Sequence, residues 1–138
     1  MGIKKFFSTK TTGDTNICSL VNNIIQSLCD CEDCISMETI FDIRVALSEL
    51  IQNALRHGNK GDKNKYIKVN AGITSDGYAF FVVEDEGEGF DYRDLVRETD
   101  DLMQLKESGR GVIIVEGLCD KLKFNEKGNK AVILKKLT

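Results

Sequence analysis

Three polar residues, Glu49, Asn53 and His57, recur every four positions along a segment with helical apolar spacing. At that spacing they lie along one face of a helix. The carboxylate can accept a proton from a hydroxyl or a water, and the amide oxygen is a hard ligand suited to hydrated Mg²⁺. The stripe alone, however, is more typical of the solvated flank of an amphipathic helix.

A second group of chemically interesting residues begins at Asp85, directly after the apolar segment 78–84. A carboxylate at the end of a buried strand can accept a hydrogen bond from an exocyclic amine such as that of adenine. Gly87 and Gly89 follow, and glycines let a backbone approach a flat ring without interference from Cβ. The same residues are equally typical of a plain turn.

The third group, Gly109, Arg110 and Gly111, precedes a short apolar segment that predicts a buried helix. Free amides and the partial positive charge of a helix N-terminus suit a phosphate chain. Arg110 could add a charged contact to a phosphate or to a protein partner. A flexible hinge is the alternative, and this is not a Walker loop, because no Gly-Lys-Ser/Thr follows.

Two helices are predicted to carry the first of these groups. Apolar residues keep a helical period over residues 15–28 and again over residues 37–57. Asp14 and Ser36 are the expected N-caps. Gly58 is the expected left-handed residue that closes the second helix.

Strand patterns and turn residues fill most of the remaining chain, and a charged segment over residues 92–108 is a candidate mobile lid. The predicted strands are an edge strand at 3–9, a half-buried strand at 67–73, a central strand at 78–84 that is apolar on both faces, and a final hairpin at 122–124 and 131–137. The order predicts an α+β fold: a two-layer sandwich with a mostly antiparallel, mixed sheet covered by helices on one face. With 138 residues, we expect a single domain over residues 1–138.

Composition limits the function. The net charge of −3 gives no basic footprint for nucleic acid. Neither a membrane span nor a signal peptide is evident, so a cytosolic protein is expected. The five cysteines, an odd number, predict reduced thiols. Cys29, Cys31 and Cys34 could hold a metal, but a Cys-rich helix end and loop is favoured because no second cluster of ligands completes a site.

Taken in order, the three groups resemble the motifs of the GHKL superfamily, the ATPases shared by DNA gyrase, large heat-shock chaperones, mismatch-repair ATPases and sensor histidine kinases. Residues 49–57 match its N box, 85–89 its first glycine box and 109–111 its second. Within it, segments 46–58 and 109–120 resemble the small bacterial anti-sigma factors that are also serine-protein kinases. The resemblance covers nearly the whole chain and implies the Bergerat ATP-binding fold.

The resemblance also implies ATP or ADP with Mg²⁺ as ligands, and a role for each motif residue. Asn53 would bind Mg²⁺, and Glu49 would be the general base that deprotonates a substrate serine. The remaining nucleotide-binding assignments are Asp85 for the adenine amine, Gly87 and Gly89 beneath the ring, Gly109 and Gly111 at the phosphates, and Arg110 and His57 near the phosphate end.

Relatives of this kind often carry an arginine just before the second glycine box, where this chain has Lys106, Glu107 and Ser108. Lys106 or Arg110 would have to replace it. The alternative function is therefore an ATP-binding docking module with little phosphotransfer. The implied partners are a sigma factor and an anti-anti-sigma protein, without direct DNA or membrane binding, and a homodimer formed through the sheet and first strand, to which Phe6 and Phe7 could contribute.

Overall fold

The structure, a computed structural model, describes residues 2–29, 35–87 and 107–137. These residues form a five-stranded sheet, three α-helices and one π-helical turn. Their bounds are β1 Ile3–Thr12, α1 Ile17–Cys29, α2 Met37–Asn53, the π-turn Ala54–Gly58, β2 Tyr66–Thr74, β3 Tyr78–Asp85, α3 Glu107–Leu118, β4 Lys121–Phe124 and β5 Lys130–Lys136. The predicted lid lies outside the described residues except for its last two, which begin α3.

The sheet has the strand order β1-β2-β3-β5-β4, and all four pairings of the described strands are antiparallel. The predicted edge strand is β1, and the predicted central strand is β3. The tight turn between β2 and β3 contains Gly77 at φ +90°, a conformation that glycine adopts without strain. The predicted α+β sandwich is confirmed.

One face of the sheet packs against the helices and forms the core. The inward side chains of β2 are 0–2% exposed, and Phe81 at the centre of β3 is fully buried. Leu47 and Ile51 of α2 are also fully buried. Burying a side chain of this size contributes roughly 1.5–3 kcal/mol, so the alternating pattern fixes which face the helices cover.

The opposite face of the sheet, here called the open face, carries a small aromatic contact. Gly72 of β2 pairs with Phe6 of β1 on one side and with Phe80 of β3 on the other. A Cβ at Gly72 would lie 2.5 Å from the Phe80 ring, so glycine leaves room for that ring. The two rings have centroids 6.5 Å apart, and Phe6 stays 56% exposed. The side chains of β3 on the open face, such as Phe80, are therefore partly covered by their neighbours, which explains why β3 is apolar on both faces.

Side chains cap both long helices, but one of the two predicted caps is wrong. Ser36 caps α2, since its Oγ accepts a hydrogen bond from the Thr39 amide at 3.1 Å. At α1 the cap is Asn16, whose Oδ1 accepts from the Ser19 amide at 3.0 Å. Asp14, the predicted cap, accepts instead from the Thr12 hydroxyl at 2.6 Å.

The second helix changes type before it ends. Regular α-helix stops at Asn53, and the π-turn closes with the Asn59 amide donating to the Ala54 carbonyl at 2.8 Å. Residues 54–58, which include His57, are therefore wound as a π-helix and do not continue the α-helix that the sequence predicts to residue 57. The prediction that Gly58 is the left-handed terminator is also wrong, because that conformation falls on Lys60 and Gly61 at φ +54° and +74°.

A half-buried lysine fixes the C-terminal end of α3. The Lys135 ammonium on β5 donates to the Leu118 carbonyl at 2.6 Å and to the Asp42 carboxylate of α2 at 3.0 Å. A cation at a helix C-terminus is favourable, and this one also joins the two helices to the sheet. None of the helices in the described ranges is both long and apolar enough to cross a membrane.

Candidate functional site

Glu49 and Asn53 meet the start of α3. Asn53 is 6% exposed and Glu49 is half-buried. A Cβ built on Gly111 would lie 2.6 Å from Glu49 Oε2 and 3.9 Å from Asn53 Nδ2. The structure therefore brings together one carboxylate, one amide and the second glycine of the Gly-x-Gly pair, and the missing side chain at Gly111 lets them approach.

The side-chain amide of Asn53 is buried, and its nitrogen lacks a hydrogen-bond acceptor in the described part of the chain. Its Nδ2 has no partner among the described residues. Leaving a buried polar group unpaired costs roughly 1–3 kcal/mol, and such groups are rare unless a ligand satisfies them. A half-turn of the amide would present its oxygen to the same space. Since Mg²⁺ commonly takes one or two protein oxygens together with phosphates and waters, this residue fits a nucleotide-bound magnesium ion.

Asp85, at the end of β3, forms a tight corner with two glycines. Its Oδ1 accepts a hydrogen bond from the Gly87 amide at 2.8 Å. A Cβ at Gly58 would overlap the Asp85 carboxylate, and a Cβ at Gly87 would overlap the Gly58 carbonyl. The sequence predicts Gly58 only as a helix terminator. Its position against Asp85 has no signal in the local sequence, because the two residues lie on different elements.

Burial raises the pKa of the Asp85 carboxyl, and the Gly87 hydrogen bond opposes that effect. Asp85 is only 6% exposed, and within the described ranges the Gly87 amide is the one donor to its carboxylate. A carboxylate has about four acceptor positions, so others are available to a ligand. Burial keeps water away from this carboxylate. A ligand amine is therefore a suitable partner, because it can donate the hydrogen bond that water would otherwise donate.

Beside Asp85 lies a mostly apolar cavity between α2 and the sheet. Its walls are Leu50, Asn53, Ala54, Val83, Asp85, Phe124 and residues 128–131. Its volume is about 10 Å³, which is enough for about one water, so a flat ring would enter only as the walls separate. The site thus combines apolar walls with a few polar side chains, Asn53 and Asp85 among them, which is the usual make-up of a small-molecule pocket.

The last hairpin contributes to this site, which the sequence did not indicate. The Asp85 amide donates to the Asn129 carbonyl at 2.9 Å, and the Asn129 side chain donates back to the Asp85 carbonyl at 3.3 Å. Asn125 fixes the turn, since its Oδ1 accepts from the amides of Gly128, Asn129 and Lys130. In the sequence, residues 126–129 have the pattern of a plain turn.

The structure defines the other predicted site residues, at positions 57, 89, 109 and 110, in less detail. The prediction that residues 109–111 precede a helix is wrong, because α3 already begins at Glu107 and contains all three. Gly109 and Arg110 lie in its first turn, and the side chain of Arg110 is outside the described part of the structure. Gly89 also falls outside it. His57 is half-buried in the π-turn, beyond the end of the α-helix that carries Asn53.

The cysteines are described only in part. Cys18 and Cys119 are free thiols. Burial raises the pKa of Cys119 to about 11, which leaves it protonated and unreactive at neutral pH. Cys31 and Cys34 of the possible metal cluster lie outside the described residues, as does the side chain of Cys29.

The sheet, the covering helices and the cavity between Asn53 and Asp85, with Glu49 one turn before Asn53 on α2, are features of a class of nucleotide-binding ATPase domains. Residues 15–136 match the family model of the histidine kinase-like ATPase domain. That match covers most of the chain, so the chain belongs to the histidine kinase-like ATPase family.

Named relatives agree with this assignment. Serine-protein kinase RsbW of Oceanobacillus iheyensis is 31% identical over 107 residues, which cover 73% of this chain and 67% of that protein. Anti-sigma F factor of Clostridium perfringens is 32% identical over 107 residues, covering 74% of this chain and 76% of that protein. The resemblance to anti-sigma factors and serine-protein kinases is therefore confirmed.

Solved structures support the fold. The RsbU and RsbW domains of a Mycobacterium tuberculosis protein align with a TM-score of 0.61 at 17% identity, covering 94% of this chain and 31% of that chain. The histidine kinase domain of a blue-light activated histidine kinase from Erythrobacter litoralis aligns with a TM-score of 0.52 at 18% identity, covering 90% of this chain and 61% of that one.

Proposed function

We propose that this protein is an ATP-binding anti-sigma factor that acts as a serine-protein kinase on an anti-anti-sigma protein. The observation that carries the proposal is the buried, unpaired Asn53 amide beside Glu49 and the glycine start of α3. Family membership implies a nucleotide site, and the names of the relatives supply the kinase and anti-sigma activities.

The adenine end of ATP is assigned to the Asp85 corner. The carboxylate accepts the exocyclic amine, and the apolar walls of Leu50, Ala54 and Val83 take the ring. A nucleobase with a carbonyl at that position would place an acceptor against the carboxylate, which is unfavourable in a buried site. We therefore infer a preference for adenine over guanine nucleotides.

The phosphate end is assigned to Asn53 and to the start of α3. Amides in the first turn of α3, which includes Gly109, present partial positive charge, and Gly111 in the next turn is the second proposed glycine at the phosphates. Arg110 and His57 are the proposed side-chain contributors. Magnesium bound through Asn53 would neutralise charge on the phosphates.

Glu49 is the proposed general base. Its carboxylate lies where α2 and α3 meet, close enough to share that space with a substrate hydroxyl once the phosphates are in place. Removing the serine proton as the oxygen attacks the γ-phosphate needs a base within hydrogen-bond reach. Positioning by α2 and α3 supplies most of the remaining effect in phosphoryl transfer.

Phosphate transfer to candidate antagonist proteins from Mg²⁺-ATP tests this function. We expect wild type to produce phosphoserine, and Glu49→Gln to transfer it roughly 10²- to 10⁴-fold more slowly with little change in ATP affinity. Glu116→Gln, at an exposed position on α3, is the matched control and should behave as wild type. Equal transfer by Glu49→Gln would remove the base assignment, and ATP binding without transfer by wild type would favour the docking-module alternative.

The proposed partners are a sigma factor and an anti-anti-sigma protein, met in the cytosol. We also propose a homodimer formed through the unpaired edge of β1. Both Ile3 and Phe6 of this strand are more than half exposed, and a long exposed edge strand is a template for pairing with another copy.

A further inference from the structure

We propose that Asn59 is a positioning residue for the nucleotide, because it clamps the two segments that form the Asp85 corner. The inference rests on the proposed adenine site at Asp85 and extends it to a residue outside the family's motifs. Asn59 is the first residue of a segment, 59–64, whose sequence is typical of a polar loop, yet its side chain is buried at 1% exposure.

Both ends of the Asn59 amide are hydrogen-bonded. Its Nδ2 donates to the Tyr66 carbonyl at 2.9 Å, and its Oδ1 accepts from the Glu86 amide at 2.9 Å. Glu86 completes the arrangement, since its Oε1 accepts from the Tyr66 amide at 2.6 Å. These three residues, here called the Asn59 clasp, join the end of the π-turn to the start of β2 and the end of β3.

The clasp controls the geometry of the adenine acceptor through its chain neighbours. Asn59 directly follows Gly58, and Glu86 directly follows Asp85. The hydrogen bond between Asn59 and the Glu86 amide therefore holds Gly58 against the Asp85 carboxylate, at a separation that leaves no room for a Cβ. Without the clasp, the segment after β3 can move away from the π-turn, and the carboxylate moves with it.

The Asn59 clasp is expected to affect nucleotide binding more than the stability of the fold. The clasp satisfies three backbone groups at one corner, whereas the hydrophobic core is built from apolar side chains of the helices and strands. Loss of the clasp should therefore change ligand binding more than it changes overall stability. It should also weaken discrimination between bases, because discrimination depends on where the Asp85 carboxylate points.

The test compares Asn59→Ala with wild type in calorimetric titrations with Mg²⁺-ATP and Mg²⁺-GTP. We expect ATP affinity to fall roughly tenfold or more, in line with losing a fixed buried hydrogen-bonding partner, and the ratio of GTP Kd to ATP Kd to fall with it. Asn16→Ala is the matched control, because it removes the cap of α1 away from the site. It should lower the melting temperature and leave both nucleotide affinities and their ratio unchanged.

Glu86 provides a second pair of variants if Asn59→Ala does not fold. Glu86 is exposed, so Glu86→Ala should fold and weaken ATP binding several-fold, while Glu86→Gln keeps an acceptor for the Tyr66 amide and should bind as wild type. Wild-type ATP affinity and base ratio in Asn59→Ala, or in Glu86→Ala if the former is unfolded, would overturn the inference. A fall in the ratio of GTP Kd to ATP Kd in Asn16→Ala would also overturn the inference. Failure of wild type to bind ATP, or full binding by Asp85→Asn, would instead contradict the proposed function.

Discussion

At the residue scale, Asp85 is placed at a cost to stability. Its carboxylate is nearly excluded from water, receives one hydrogen bond from Gly87 and has its pKa raised by burial. Groups whose pKa is shifted by burial are frequent at functional sites, where the ligand supplies the missing partner. The unpaired Asn53 amide is a second example on the facing helix.

This cost gives a pH-dependent prediction for the protein without nucleotide. Because the folded-state pKa is raised, the contribution of Asp85 to stability is fully present below the ordinary aspartate pKa and is lost as the pH rises through the raised value. Asp85→Asn has no such loss. We expect the free energy of unfolding of Asp85→Asn, relative to wild type, to increase by about 1.4 kcal/mol for each pH unit between the ordinary and the raised pKa.

Urea unfolding of both proteins over that pH window measures this difference, and groups common to both cancel. The same variant should lose the stabilisation by Mg²⁺-ATP, which for wild type reaches roughly 2.7 kcal/mol at a hundredfold excess over Kd. A difference between the proteins that stays flat with pH would contradict the buried-carboxylate account. A full nucleotide effect in Asp85→Asn would contradict the adenine assignment.

At the scale of elements, the site depends on how α3 meets α2. At the C-terminal end of α3, Lys135 joins the Leu118 carbonyl to the Asp42 carboxylate of α2. Near the N-terminal end of α3, Gly111 lies against Glu49 of α2. Two of the three glycines of this helix, Gly111 and Gly117, therefore have different surroundings. A Cβ at Gly111 would press on Glu49 Oε2, whereas a Cβ at Gly117 would meet nothing within 4 Å.

Gly111→Ala and Gly117→Ala form a matched pair on α3. Replacing glycine by alanine inside a helix stabilises by about 1 kcal/mol where there is room, so Gly117→Ala should raise the melting temperature and keep wild-type phosphotransfer. In Gly111→Ala the Glu49 carboxylate, the end of a flexible side chain, must swing aside. We expect phosphotransfer to fall at least tenfold while the melting temperature changes little.

Melting temperatures from circular dichroism and phosphoserine formation, measured on both variants, check this prediction. Unimpaired transfer in Gly111→Ala would mean that the position of Glu49 beside α3 does not matter for catalysis. Impaired transfer in Gly117→Ala would mean that α3 is sensitive to any change, and not specifically to the contact with Glu49.

At the scale of the whole molecule, one sheet face is covered by helices and the other is open. The open face carries more lysines than carboxylates: Lys10 and Lys68 are paired across β1 and β2, Lys123 lies on β4, and Glu84 of β3 is opposite Lys68. Two copies packed face to face would oppose like charges, which is unfavourable. Edge pairing through β1 avoids that repulsion and fits the proposed homodimer better.

The dimer is testable with two exposed phenylalanines. Phe6 lies on β1 and Phe41 on α2, at 56% and 61% exposure. We expect wild type to have twice the 15.4 kDa chain mass in light scattering, Phe6→Asp to have the mass of one chain, and Phe41→Asp to remain dimeric. A wild-type mass of one chain at concentrations on the order of 100 μM would contradict the homodimer. Dissociation by Phe41→Asp alone would move the interface to α2.

Much of the fold could be predicted from the sequence because its signals are local. Alternation along residues 67–73 gives a strand with one buried face, and Ser36 before an apolar period gives a helix start; the structure has both. The ends of elements were less predictable. The π-turn and the Asn16 cap depend on competition among neighbouring hydrogen-bonding groups, which periodicity does not resolve.

The family, the sandwich and the motifs that carry Glu49, Asn53 and Asp85 follow from the sequence alone, since each motif lies within a few contiguous residues. The other residues that complete the site become visible only in the folded chain. Asn59 and Glu86 are 27 positions apart, and Asn129 and Asp85 are 44 apart. Close approach of separate elements, as between Gly58 and Asp85, depends on packing of the whole sheet and leaves no pattern in either segment alone.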